Sequence, residues 1–65
     1  MDIRAIKSRS QRALCGAFER EISVKPSEVA SVKRTLKASG FIIVGTGPGG
    51  FGNVNVWYNP SGWSL

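Results

Sequence analysis

Side chains able to do chemistry are few in this sequence, and their spacing is poor for catalysis. None of the 65 residues is a histidine, so the commonest general base is missing. Cys15 is the only cysteine. With no imidazole to activate it, it reads as a small packing residue on the edge of a first helix. One thiolate cannot hold a zinc ion, and it has no partner for an internal disulfide. The carboxylates are Asp2, Glu19, Glu21 and Glu28. Glu19 and Glu21 are two apart, which puts them on different faces of a helix. Serines are plentiful, but none sits in a G-x-S-x-G elbow. These absences predict a binding protein and not an enzyme, with neither metal nor cofactor.

One motif points the other way. Gly45, Gly47 and Gly50 spell G-x-G-x-x-G directly after the apolar run Phe41–Val44. The string FIIVGTGPGG resembles the opening of a flavin- or nicotinamide-binding Rossmann domain, where such glycines let a pyrophosphate approach a helix N-terminus. The context that motif requires is missing. Residues 51–56 alternate like a strand, no Asp or Glu comes after Glu28 to hold a ribose, and residues 51–65 are too few to complete a βαβ unit. The expectation is a glycine-rich hairpin loop and no dinucleotide.

Charge divides the chain. The nine Lys/Arg and four Asp/Glu, net +5, all lie between Asp2 and Lys37, and residues 38–65 carry none. Soluble surfaces are usually about 25–35% charged, so the uncharged half is expected to be buried or to meet a partner. The basic half favours polyanions. A chain this short makes one domain of marginal core size: residues 1–65, with a basic helical half at 1–40, a hairpin at 41–60 and a tail at 61–65. No apolar run approaches the roughly 20 residues of a membrane span, and a lone cysteine fits a reducing compartment. A cytoplasmic protein with no membrane partner is expected.

Periodicity supplies the elements. Ile3, Ile6, Ser10, Ala13, Leu14, Ala17 and Phe18 recur at helical spacing and predict a first helix over 2–20, with Gly16 either a close-packing position or a break. Ile22–Val24 is a candidate short third strand. Pro26 suits a helix start and Gly40 a helix stop, so a second helix is predicted over Ser27–Ser39, burying Val29, Val32 and Leu36. Phe41–Gly45 and Val54–Tyr58 read as antiparallel strands around the loop Gly45–Asn53. Phe41 and Ile43 should share one face, and Ile42 and Val44 the other. The fold class expected is α+β, two helices packed on a C-terminal β-hairpin.

Opposite its buried stripe the second helix presents Ser27, Ala30, Ser31, Arg34 and Ala38, with Lys37 beside them. Small residues allow close approach to a DNA groove, Arg34 can pair bidentately with guanine, and Lys33 and Lys37 can meet phosphates. Arg9 and Arg12 of the first helix extend the basic surface. The stretch Val32–Tyr58, with helix, Gly, apolar strand, loop and second strand, resembles the back half of a winged-helix DNA-binding domain. The resemblance implies a recognition helix at Ser27–Ser39, a wing at Gly45–Asn53, duplex DNA as partner and a role in transcription regulation or as an accessory factor. Two features depart from that pattern: the wing has no Lys or Arg, and the segment before Pro26 is short for a separate preceding helix.

A second reading uses the uncharged half. Phe51 at the loop tip, Trp57 on the polar strand face and Trp63 in the tail suit a protein interface, either a homodimer or a small inhibitor or adaptor of phage or plasmid type docking on a host complex such as the transcription machinery. For Trp57 and Trp63 the simpler alternative is that they cover the core.

Overall fold

The computed structural model describes residues 1–13 and 19–60. The elements in order are α1 (Ile3–Arg9), β1 (Gln11–Arg12), β2 (Arg20–Val24), a 3₁₀ turn (Pro26–Glu28) running into α2 (Val29–Ala38), β3 (Phe41–Pro48), a tight turn (Gly50–Gly52) and β4 (Val54–Pro60). The strands form one antiparallel sheet in the order β1-β2-β4-β3. Ile6 of α1 and Val32 and Leu36 of α2 join Ile22, Val24, Val56 and Tyr58 in a single buried cluster. Both helices therefore lie on the same face of the sheet, and the fold is α+β.

The first helix is shorter than its stripe predicts. Asp2 caps it by accepting from the Ala5 N–H at 2.8 Å, the usual N-cap arrangement. It stops at Ser10, whose backbone is extended and whose hydroxyl donates to the Ile6 carbonyl at 2.6 Å. That side chain offers the backbone a local alternative to another helical turn. Beyond it, Gln11 and Arg12 pair with Glu21 and Arg20, and the Gln11 amide donates to Glu21 Oε1 at 2.8 Å. Arg12 and Arg20 thus sit on strands, not on a helix. The predicted helical positions Leu14, Gly16, Ala17 and Phe18, and Cys15 with them, lie outside the described residues. Between α1 and α2 the described residues form β1 and β2, and the third strand expected at Ile22–Val24 starts two residues earlier, at Arg20.

The second helix forms within the predicted span, at Val29–Ala38, with Pro26–Glu28 as a 3₁₀ turn at its entrance; Val32 and Leu36 are buried as expected, and Val29 is only half-buried. Lys25 N–H donates to Glu28 Oε1 at its start. At its end Ser39 N–H reaches the Thr35 carbonyl at 3.0 Å, and Gly40 takes φ 88, the left-handed conformation that glycine adopts at little cost after a helix.

Phe41 and Ile43 pack on the core as predicted, and both hairpin strands run longer than the sequence suggested. A bulge falls between Ile43 and Gly45, leaving Val44 exposed. An extra residue reverses which side chains face which side of the sheet. Gly45 and Gly47 are thereby placed on the face away from the helices, opposite Trp57 and Asn55.

Tyr58 ties the end of β4 to α1. Its hydroxyl donates to Ser10 Oγ, which donates on to the Ile6 carbonyl, and its ring meets Phe41 edge-on with centroids 5.3 Å apart. Tyr58→Phe should cost about 0.5–1.5 kcal/mol, the net worth of one hydrogen bond, with the helical signal intact. Urea unfolding monitored by circular dichroism measures it, and no change would mean that the Ser10 cap holds α1 without the tyrosine.

Candidate nucleic-acid interface

Burial of Val32 and Leu36 on the sheet fixes which side of α2 faces outward. Ala30, Arg34, Lys37 and Ala38 are all exposed, and helical geometry gathers them on one strip; Ser27, in the 3₁₀ turn that leads into α2, is exposed as well. The strip carries small side chains and two cations, Arg34 and Lys37. Of the predicted contact residues, Arg34 and Lys37 come together there, with Ser27 just before the helix.

The others do not. Ser31 is half-buried and accepts from the Met1 amino group at 3.4 Å, while the neighbouring Thr35 hydroxyl donates to the Met1 carbonyl at 3.0 Å. This flank of α2 is covered by the start of α1. Lys33 is half-buried on the opposite flank. Arg9 clamps α1 to the sheet: its Nη2 donates to the Ser23 carbonyl at 3.1 Å. Arg12 lies on the edge strand β1, paired with Arg20. Arg4 and Lys7 are exposed on α1 and add to the basic surface of the helical layer.

The carboxylates are engaged within the chain, at or near its surface. Asp2 caps α1, Glu28 accepts from the Lys25 N–H, and Glu21 accepts from both Gln11 and the Trp57 indole. Among the described residues the single ion pair is Arg20–Glu19, at 3.9 Å. Arg34, Lys37, Arg4 and Lys7 thus keep their charge facing water, without a described carboxylate at ion-pair distance, and make the helical layer a source of positive potential.

On the other side of the sheet, each glycine of the G-x-G-x-x-G string has a place in the hairpin. A Cβ on Gly47 would lie 2.4 Å from Trp57 Cη2, and one on Gly45 would touch the same ring at 3.5 Å. The indole lies over both glycines, and its N–H donates to Glu21 Oε2 at 3.1 Å. Trp57 is half-buried, and this packing accounts for its position. Gly50 starts the hairpin turn, and its carbonyl accepts from the Asn53 N–H at 3.0 Å. Nothing resembling a helix N-terminus comes after it, since β4 begins at Val54.

Phe51 stands apart. It is fully exposed and has φ 56, ψ 36, the only positive φ among the described non-glycine residues. Gly52, next in the chain, has φ 77. Two successive positive φ values under the Gly50–Asn53 hydrogen bond define a type I′ turn, whose first central position normally takes Asn, Asp or Gly. Phenylalanine there costs about 1–2 kcal/mol. Trp63, the remaining predicted contact residue, lies outside the described residues.

One cleft was not legible in the sequence. Lys7, Ser10, Glu19, Arg20, Phe41, Tyr58 and Pro60 line a hollow of about 390 Å³ where β3 begins and β4 ends. Its residues come from four separate segments, and no local spacing signals it. Among the described residues no three His, Cys, Asp or Glu side chains gather to hold a metal, and no helix is long and apolar enough to cross a membrane. Compared with protein-family models, curated proteins and solved structures, the chain matches none.

Proposed function

We propose that the protein binds duplex DNA, with the outer strip of α2 as the reading surface, and acts as a small regulator or accessory factor. The observation that carries this is the strip itself: Ala30, Arg34, Lys37 and Ala38 of α2, with Ser27 just before it, are exposed together, while each carboxylate is engaged by a hydrogen bond or ion pair elsewhere in the chain. The order α2, β3, turn, β4 is the part of the chain on which the winged-helix resemblance rests; before α2 the described residues form β1 and β2. The major groove, about 12 Å wide, accepts a helix. On this reading Arg34 contacts base edges, and Lys37 with Arg4 and Lys7 contacts phosphates, which fix register without reading sequence. The uncharged hairpin braces the helix from behind and adds little electrostatic attraction.

Fluorescence anisotropy on labelled duplexes over a salt series tests the reading. Affinity should fall steeply with salt, and Lys37→Ala should lower the slope by about one unit for the lost phosphate contact. Arg34→Ala should cost about 1–3 kcal/mol on preferred sites and flatten the preference between sequences. Arg12→Ala, on the far edge of the sheet, should change little. Binding undetectable at about 50 mM salt, where phosphate contacts are strong, would defeat the proposal.

A further inference from the structure

We propose that the protein assembles head to tail, with Phe51 of one copy seated in the cleft between Phe41, Tyr58 and Pro60 of the next. A lone exposed apolar side chain is ordinary on a protein surface. Phe51 is more than that, because it also occupies a turn position that favours other residue types, so the fold retains it against local preference. Strained positions of this kind concentrate where a chain binds something.

The cleft supplies a matching receptor. It is an open hollow of about 390 Å³, large enough for a phenyl ring. Phe41 and Tyr58, packed edge-to-face on each other, both line it, and a third ring can stack against the half-buried Phe41. Lys7 and Arg20 stand exposed beside it, able to approach the negative face of an incoming ring. The tip that would enter carries no charge, since residues 38–65 have none, so no ionic group of the tip loses its hydration there.

Geometry rules out a knob filling its own hole. The tip extends past the Pro48–Val54 pair, and the cleft lies at the other end of the sheet, by the Phe41–Pro60 pair. A contact between two different surfaces of the same chain is heterologous and builds rings or open rows instead of two-fold dimers. Every row keeps one free knob and one free hole until it closes.

Sedimentation equilibrium of the full chain without nucleic acid, over a concentration series reaching millimolar, tests this independently of DNA binding. Wild-type protein should grow in mass beyond a dimer. Phe51→Asn should remain monomeric with equal or higher thermal stability, because asparagine suits the turn. Lys7→Trp, which fills the cleft from an exposed position on α1, should also be monomeric, and Arg20→Trp serves the same purpose should the first variant not fold. Mixing Phe51→Asn with the cleft-filled variant should restore pairing that stops at one-to-one. A wild-type protein that stays monomeric, a Phe51→Asn protein that still associates, or a cleft-filled variant that associates by itself would each overturn the proposal, as would growth that occurs only after duplex DNA is added.

Discussion

Leu36→Ala should lower the stability of the protein by several kcal/mol, about 2–5 by the usual cost of truncating a buried leucine. Leu36 is completely buried on the inner side of α2, against the same cluster as Val32, Val56 and Tyr58. Truncating a buried leucine costs about 2–5 kcal/mol, through lost transfer energy and the cavity left behind. A chain of 65 residues has roughly 3–10 kcal/mol in total. The substitution therefore removes roughly a fifth of the stability at one limit of these ranges and all of it at the other. Urea titration should show the helical and sheet signals falling together at a much lower midpoint. Val29, half-buried on the same helix, should cost less when truncated in the same way. A loss below about 1 kcal/mol at Leu36 would mean that the helix closes the cavity by settling onto the sheet, a lower cost than the Leu→Ala range.

Gly47→Val should be the most damaging change on the opposite face. The new Cβ would lie 2.4 Å from Trp57 Cη2 and 3.0 Å from Cζ2, closer than atoms can pack. The indole cannot simply slide, because its N–H is held by Glu21, which also accepts from Gln11. Moving the ring breaks a polar chain that links β1, β2 and β4. Overpacking of this kind costs about 1–3 kcal/mol and occasionally more. In a Trp63→Phe background Trp57 alone reports, and its emission should shift to the red as the ring swings into water. Gly50→Ala provides the contrast: an added Cβ there meets nothing within 4 Å, and stability should be unchanged. Equal effects at Gly47 and Gly50 would refute the packing account of the motif.

These two positions also show which parts of the structure local sequence pattern could reveal. The Val29–Val32–Leu36 stripe and the alternation of Val54, Val56 and Tyr58 announce α2 and β4, because amphipathic period is a direct consequence of one-sided burial. Gly40 marks the end of α2 for the same local reason. The stripe of α1 misleads: its period runs on through Ala13 and Phe18, while Ser10 offers a cap and the β2 edge offers a strand partner to Gln11 and Arg12. Strand pairing across that distance leaves no periodic trace. The outer strip of α2 was legible, but the cover that Met1 places over Ser31 and the clamp from Arg9 to Ser23 were not. Both are contacts between segments far apart in sequence. Likewise the strand-like alternation of residues 51–56 marks the glycine string as a hairpin loop, whereas the reason for Gly45 and Gly47 is a tryptophan on the neighbouring strand.

The position of β4 has a consequence for how the chain acquires this structure. It is the last described strand in sequence but sits inside the sheet, with β2 on one side and β3 on the other. During synthesis, β2 emerges with only the two residues of β1 to pair with, and β3 has no sheet neighbour until Val54–Pro60 appear. Ile22, Val24, Phe41 and Ile43 must therefore wait, solvated or held by a chaperone, because β2 and β3 are joined only through β4. Pairings such as Arg20 with Tyr58 close long loops, which slows folding relative to local contacts. A ribosome stalled before Val54 should display a protease-sensitive nascent chain, and release of that strand should convert it in one step. Assembly of this sheet thus waits on the arrival of the strand that joins its two halves.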